Sequence, residues 1–302
     1  MARIEDRNIA TGQQMPHPRT EEQRSAEAGE SAATAVEELG VRPPQVTIDG
    51  DTFWRVEGDL LLDEDELFVY IQQQAARRQQ RQAAEQAGFR ETKITSSEAP
   101  SAALVGMVQD GKIVRWAPGT VLTYCVLAKT FNSRKEYEEV AANMQRATQD
   151  WVETCGVEFE YRKDLDDSDT MRPDATFPVR QIDSNGAFIA AAFFPTDPVS
   201  RRRVLIDPSY FSTGFDRVGV LRHELGHVLG FRHEHIRSLA PPVCPNEDLT
   251  GTVDLSDYDP QSVMHYFCGG VGSRDLAITN VDRTGSQRVY GPPLNAFVLR
   301  AA

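Results

Sequence analysis

The residues with the clearest capacity for chemistry lie in one stretch, His223 to Glu234, which reads HELGHVLGFRHE. His223 and His227 stand four apart, so on a helix both imidazoles leave one face and aim at one point. Gly230 permits the left-handed turn that ends such a helix and brings His233 in from outside it as a third nitrogen donor. Three protein ligands leave one corner of a zinc tetrahedron for water, the arrangement of a catalytic rather than a closed structural site. Zinc lowers the pKa of its bound water to about 7 and polarises a carbonyl, and a carboxylate beside it takes the water proton and passes it to a leaving amine. Glu224 has the position for that role. HExxH alone fixes three residue types and is a moderate hint, whereas HExxHxxGxxH fixes five. Five of the six histidines (His223, His227, His233, His235 and His265) fall in this region, and only His17 lies elsewhere.

The elements that must carry these residues can be read from periodicity. Val121–Leu127 reads as a buried strand. Ser133–Thr154 reads as an amphipathic helix, with Tyr137, Val140, Ala141, Met144, Ala147, Trp151 and Val152 recurring at three and four residues. Val157–Tyr161, Phe177–Ile182, Gly186–Phe194 and Arg202–Ile206 read as further strands, and the site helix follows from about Asp216. That order predicts an α/β or α+β unit with a mixed sheet. A last helix runs from about Thr279 to Tyr290, stopped by Gly291, Pro292 and Pro293.

The N-terminal third differs in character. Residues 1–45 hold no aromatic side chain and are rich in Glu, Gln, Ser, Ala and Arg, which predicts a disordered tail. Residues 46–104 form a small module: a hairpin turning at Asp49-Gly50, a helix capped by Asp63 or Asp65 and running to about Ala87, and a polar linker from Thr92 to Ala103. Residues 105–302 form the larger unit.

A net charge of -13 argues against nucleic acid or an anionic membrane as partner. The longest apolar run, Ala187–Phe194, is eight residues and too short to cross a bilayer, so no membrane insertion is expected. No apolar signal segment is visible at the N-terminus. The four cysteines, Cys125, Cys155, Cys244 and Cys268, nevertheless suit two disulfides and an oxidising, extracytoplasmic setting. Of the three connectivities, Cys125 with Cys155 and Cys244 with Cys268 close the shortest loops; four reduced buried thiols are the alternative.

HELGHVLGFRH resembles the extended zinc signature of the metzincin metallopeptidases, and Ser262-Val263-Met264-His265-Tyr266 resembles their Met-turn. Glu234 directly after the third histidine, with MHY in the Met-turn, is similar to the astacin subfamily. The resemblance implies an α+β fold: a two-subdomain metzincin-like unit with a mixed five-stranded sheet and a zinc-site helix, preceded by a small pro-module. It implies one catalytic Zn2+ on His223, His227 and His233, with Glu224 as general base. Gly230 and Glu234 give structural support, Met264 lies as an apolar floor beneath the metal, and Tyr266 serves the oxyanion. His235 and His265 are not ligands in that pattern. Val56-Glu57-Gly58-Asp59 resembles the FxGD element of astacin propeptides, with valine in place of phenylalanine, which makes Asp59 the candidate blocker of the fourth zinc position. The expected molecule is a zinc endopeptidase made as a zymogen, monomeric, cutting protein or peptide substrates after an activating protease has cleaved the linker. Substrate is expected antiparallel along the edge formed by Gly186, Ala187, Phe188, Ile189 and Ala190. The other readings are a non-catalytic metzincin-fold binding protein and a zinc hydrolase of a non-protein substrate.

Overall fold

The computed structural model describes residues 43–56, 58–68, 70–71, 104–109, 111–168, 170, 173–236, 252–255 and 257–296. The expected N-terminal tail up to residue 42, the far end of the helix to Ala87, the linker and Cys244 lie outside these residues.

The N-terminal module is a three-stranded antiparallel meander of β1 (Gln45–Ile48), β2 (Asp51–Val56) and β3 (Leu60–Leu62). Asp49 and Gly50 both have positive φ, 56° and 92°, the geometry that a two-residue hairpin with a right-handed twist requires. A helical segment follows at residues 64–68 and 70–71. Asp63 is its cap: its Oδ1 accepts the Glu66 N–H at 2.9 Å while Glu66 Oε2 accepts the Asp63 N–H at 3.0 Å, a reciprocal capping box. Trp54, Val56, Leu60, Leu67 and Ile71 close a small core of their own.

The larger unit is built on a mixed five-stranded sheet in the order β7 (Glu158–Tyr161), β6 (Val121–Val126), β8 (Phe177–Gln181), β10 (Val204–Ile206), β9 (Ala190–Ala191). All pairings are parallel except that of the edge strand β9 with β10. Helix α1 (Arg134–Val152) covers one face with the expected stripe, Tyr137 through Trp151. Against it packs α2 (Arg217–Val228), capped by the Asp216 side chain on the Gly219 N–H. The last helix, α3 (Asn280–Tyr290), is capped by Thr279 and ends at Gly291. No helix among the described residues is long and apolar enough to cross a membrane.

Two sequence expectations need correction. Gly186–Phe194 is not one strand: Asn185 and Gly186 have positive φ and turn the chain, leaving only Ala190–Ala191 paired. Cys125 and Cys155 are both free and buried. In β6 the side chains alternate, so Tyr124 and Val126 enter the core that holds Cys155 while Cys125 points to the opposite face of the sheet. Burial pushes both thiols up to about 12. The second expected pair involves Cys244 and so lies outside the described residues.

One small sheet has no counterpart in the periodicity. Here β4 (Val105–Gln109) pairs with β5 (Lys112–Ile113), β11 (Phe231–Arg232) and β12 (Thr252–Asp254). These strands are two to five residues long, too short to leave an alternating pattern. Their consequence is local, because β11 immediately precedes His233.

Candidate metal centre and cleft

Helix α2 brings His223 and His227 to one face, and Gly230, at φ 89°, turns the chain into β11. Pairing of β11 with β4 then fixes the direction in which His233 returns. The helix end is closed by side chains from elsewhere: Trp116 Nε1–H donates to the Val228 carbonyl at 2.7 Å, and the Tyr290 hydroxyl to the Leu229 carbonyl at 2.7 Å.

Each helical histidine is oriented through its other ring nitrogen. His223 Nδ1–H donates to the Val263 carbonyl and His227 Nδ1–H to the Phe231 carbonyl, both at 2.8 Å. A carbonyl only accepts, so these contacts put the proton on Nδ1 and turn the lone pair of Nε2 to the centre. The Nε2 atoms of His227 and His233 stand 3.1 Å apart.

Asp59, from the tight turn between β2 and β3, enters this ring. Its carboxylate lies 3.3 Å from His233 Nε2, 3.5 Å from His223 Nε2 and 3.9 Å from His227 Nε2. One ligand atom from each of the four residues falls within 4.8 Å of every other. All four side chains are buried, and His223 Nε2 and Asp59 Oδ1 have no hydrogen-bond partner. Converging buried donors, two of them without a hydrogen-bond partner, are what a cation would satisfy, and three imidazoles with one carboxylate match the donor set of four-coordinate zinc. Burial alone would raise Asp59, but His233, His223 and His227 around it hold it well below the usual carboxylate range. Burial, with the charge of His233, holds His227 well below the usual histidine range.

Gly58 explains how the turn gets so close. Its φ is 95°, and a Cβ there would sit 2.5 Å from the Tyr266 hydroxyl oxygen. Tyr266 O–H donates to Asp59 Oδ2 at 2.5 Å, and its ring stacks on His235 with centroids 4.6 Å apart. Glu224 is buried beside this group, its Oε2 without a hydrogen-bond partner. Burial, with the Asp59 charge nearby, holds it well above the usual carboxylate range. A cleft of about 290 Å³ opens from here, lined by Gly186–Ala190 and by Phe215, Val220 and Leu276. The five residues expected along the substrate path thus line the cleft, although only Ala190 belongs to a strand.

The remaining sequence candidates support the site from below. Met264 is fully buried, and its Sδ lies 2.3 Å from where a Cβ on Gly226 would be, so α2 rests on the methionine only because residue 226 has no side chain. Glu234 is buried and its Oε1 accepts the Asp259 N–H at 3.0 Å. His235 and His265 are buried but stand outside the converging donor set. His265 Nε2 is 2.8 Å from the Tyr258 hydroxyl, and burial pushes His235 down to about 2.

Three positioning groups escaped the sequence reading. Gly226 sits inside the motif, where a small residue between two ligands was a usable cue. Asp207 holds the turn that opens the cleft wall, accepting from Ser184 N–H at 2.8 Å and Ser184 Oγ–H at 2.6 Å. Asp282, on α3, is fully buried and accepts from Ser262 Oγ–H at 2.6 Å and from the N–H groups of Val263 and Thr279 at 2.9 Å each. It thereby holds Val263, the residue whose carbonyl orients His223, and burial pushes its carboxyl up to about 6. Its cue was the Thr279-x-x-Asp282 capping pattern. Asp282→Ala is expected to lower zinc affinity by about 10- to 100-fold, the usual cost of losing an outer-shell partner. Competition with a chromophoric chelator measures it, and an affinity equal to that of the unmodified chain would dismiss the assignment.

The family model for matrixin, a peptidase family, matches residues 115–267, just over half of the chain. No curated protein matches. Among solved structures, the chain is similar to high choriolytic enzyme 1, a hatching-enzyme zinc-protease from Oryzias latipes (medaka fish). The identity is 18%, over 57% of this chain and 90% of that one, with a TM-score of 0.38. The matched segment holds all three histidines and the Met-turn, and on that span the chain belongs to the matrixin family of metzincin-like zinc metallopeptidases.

Proposed function

We propose that the chain is a zinc endopeptidase held latent by its own N-terminal module, with Asp59 as the block. The observation that carries this is the position of the Asp59 carboxylate, within 3.3 to 3.9 Å of the Nε2 atoms of three histidines, two of which, His223 and His227, have their lone pairs turned to the centre. A carboxylate there fills the corner a catalytic centre keeps open. The Asp59 interaction, the Tyr266 contact and the glutamate after the third histidine favour the astacin-like variant of the metzincin plan.

His223, His227 and His233 would hold the metal. Zinc, when bound, supplies Lewis acidity that polarises a carbonyl and acidifies water. Once Asp59 has left, Glu224 Oε2 takes the proton of the attacking water and returns it to the departing amine nitrogen. Tyr266, released from Asp59, turns its O–H to the oxygen on which negative charge develops. The cleft wall of residues 186–190 holds the peptide extended beside these groups, next to the edge strand β9.

Cleaving the linker is expected to release hydrolysis of casein that a chelator abolishes and added zinc restores. A linker-cleaved chain with full zinc content and no peptidase activity would refute the reading. It would favour a binding protein that retains the fold.

A further inference from the structure

We propose that the sheet face opposite α1 is an exosite for protein substrates, selecting segments that carry a carboxylate near a bulky apolar side chain. The proposal rests on the reading of the chain as a peptidase whose N-terminal module is displaced. In β10, Val204 and Ile206 point to α1, so Leu205 points the other way; in β9, Ala190 and Ala191 divide likewise. Register aligns Arg180, Leu205 and Ala191 in one row across three strands on that outer face. The module's hairpin covers the row with Val46, Ile48 and Phe53.

Arg180 is the telling residue. It lies on an inner strand with its side chain 5% exposed, a place where an unpaired charge is costly. Asp49, at the tip of the hairpin, meets it: Arg180 Nη1–H donates to Asp49 Oδ1 at 2.8 Å. The guanidinium of Arg203 stands 3.8 Å from the same carboxylate and 5.3 Å from the centre of the Phe53 ring. The face therefore recognises an acid and an aromatic together, in a chain whose net charge is -13.

Removing the module leaves apolar Leu205, Ala191 and Phe188 bare between arginines, the kind of patch that marks an interaction site. The patch is continuous with the cleft, because Ala187 and Phe188 belong to both. The module itself spans the path, with Phe53 on the face and Asp59 at the histidines. A protein substrate with its scissile bond at the centre reaches the face by the same route. An acidic polypeptide complements its charge.

The test compares casein, an acidic protein, with a short neutral fluorogenic peptide that does not extend beyond the cleft, both cut by the full chain after cleavage in the linker. Arg203→Glu is expected to lower the ratio of kcat/KM for casein to that for the peptide by roughly fivefold. A synthetic peptide of residues 45–56, which lacks Asp59, should raise KM for casein and not for the short substrate. This second measurement needs no variant to fold. A ratio that moves in neither experiment overturns the exosite while peptide turnover leaves the peptidase reading standing. So does an N-terminal fragment that stays bound to the active cleaved chain, or a dimer that buries the face. If neither substrate is cut, the peptidase reading fails and the exosite with it.

Discussion

Replacing Glu224 by glutamine is expected to lower kcat of the linker-cleaved chain on casein by about 10²- to 10⁴-fold, the span a positioned proton-transfer group contributes. Glutamine keeps the volume and a carbonyl oxygen but cannot take a proton. The site around it is otherwise complete: His223 and His227 hold their tautomers through the Val263 and Phe231 carbonyls, and neither contact involves residue 224. Zinc content should therefore stay stoichiometric while turnover is lost, which separates a missing base from a missing metal. With the module docked, Glu224 is buried, with a raised carboxyl and an oxygen lacking a hydrogen-bond partner, a costly arrangement for a group with a purely structural role. Activity retained in the glutamine variant, measured with zinc analysis on the same sample, would remove Glu224 from the mechanism.

Asp59→Ala should make the intact chain active without cleavage. Truncating one partner of a buried, hydrogen-bonded charge cluster costs about 2–5 kcal/mol. At the low end this already raises the open fraction by about thirtyfold, taking 1.4 kcal/mol per decade. The alanine also frees Tyr266, whose hydroxyl is engaged by Asp59 at 2.5 Å. The rest of the module keeps its hold, since Arg201 Nη1 donates to Asp63 Oδ2 at 2.6 Å and to Glu66 Oε2 at 2.6 Å. Full activity is thus expected only when cleavage follows. Asp59→Asn separates the two contributions, because its amide oxygen still accepts from Tyr266 while the charge is gone. Unchanged latency in Asp59→Ala, judged by casein turnover of the uncleaved chain, would show that the module blocks by bulk instead.

The parts of this molecule that were legible in the sequence are those governed by local rules. Helix α1 announced itself through a stripe at three and four residues, and α2 and α3 through Asp216 and Thr279 at their starts and glycine beyond their ends. The histidine set was legible because two ligands share one helix and the third follows a glycine turn, so the ligand spacing is covalently fixed. What was not legible depends on pairing at long range. The sheet of β4, β5, β11 and β12 joins two- to five-residue strands more than a hundred residues apart in the chain, and nothing in such short runs specifies a partner. The paired part of β9 shrank from nine expected residues to two, between a turn at Asn185 and Gly186 and another from Phe194 to Asp197, although the apolar run reads as continuous strand. Cys125 and Cys155 were matched by loop length, but strand alternation assigns them to opposite sides of the sheet. Asp207 left no signal, and the Thr279-x-x-Asp282 pattern marks a helix start but not a site, because a buried acceptor of backbone N–H groups looks, in sequence, like any helix or turn aspartate.

The Asp59 turn has a thermodynamic consequence. With Asp59 counted among the donors, a cation at this centre is a cross-link between the module and the larger unit. Whatever factor the docked module adds to cation affinity, the cation returns to module affinity, since linkage between two binding equilibria is reciprocal. A cell compartment poor in zinc would then loosen the latch while withholding the metal, and one rich in zinc would tighten it while supplying the metal.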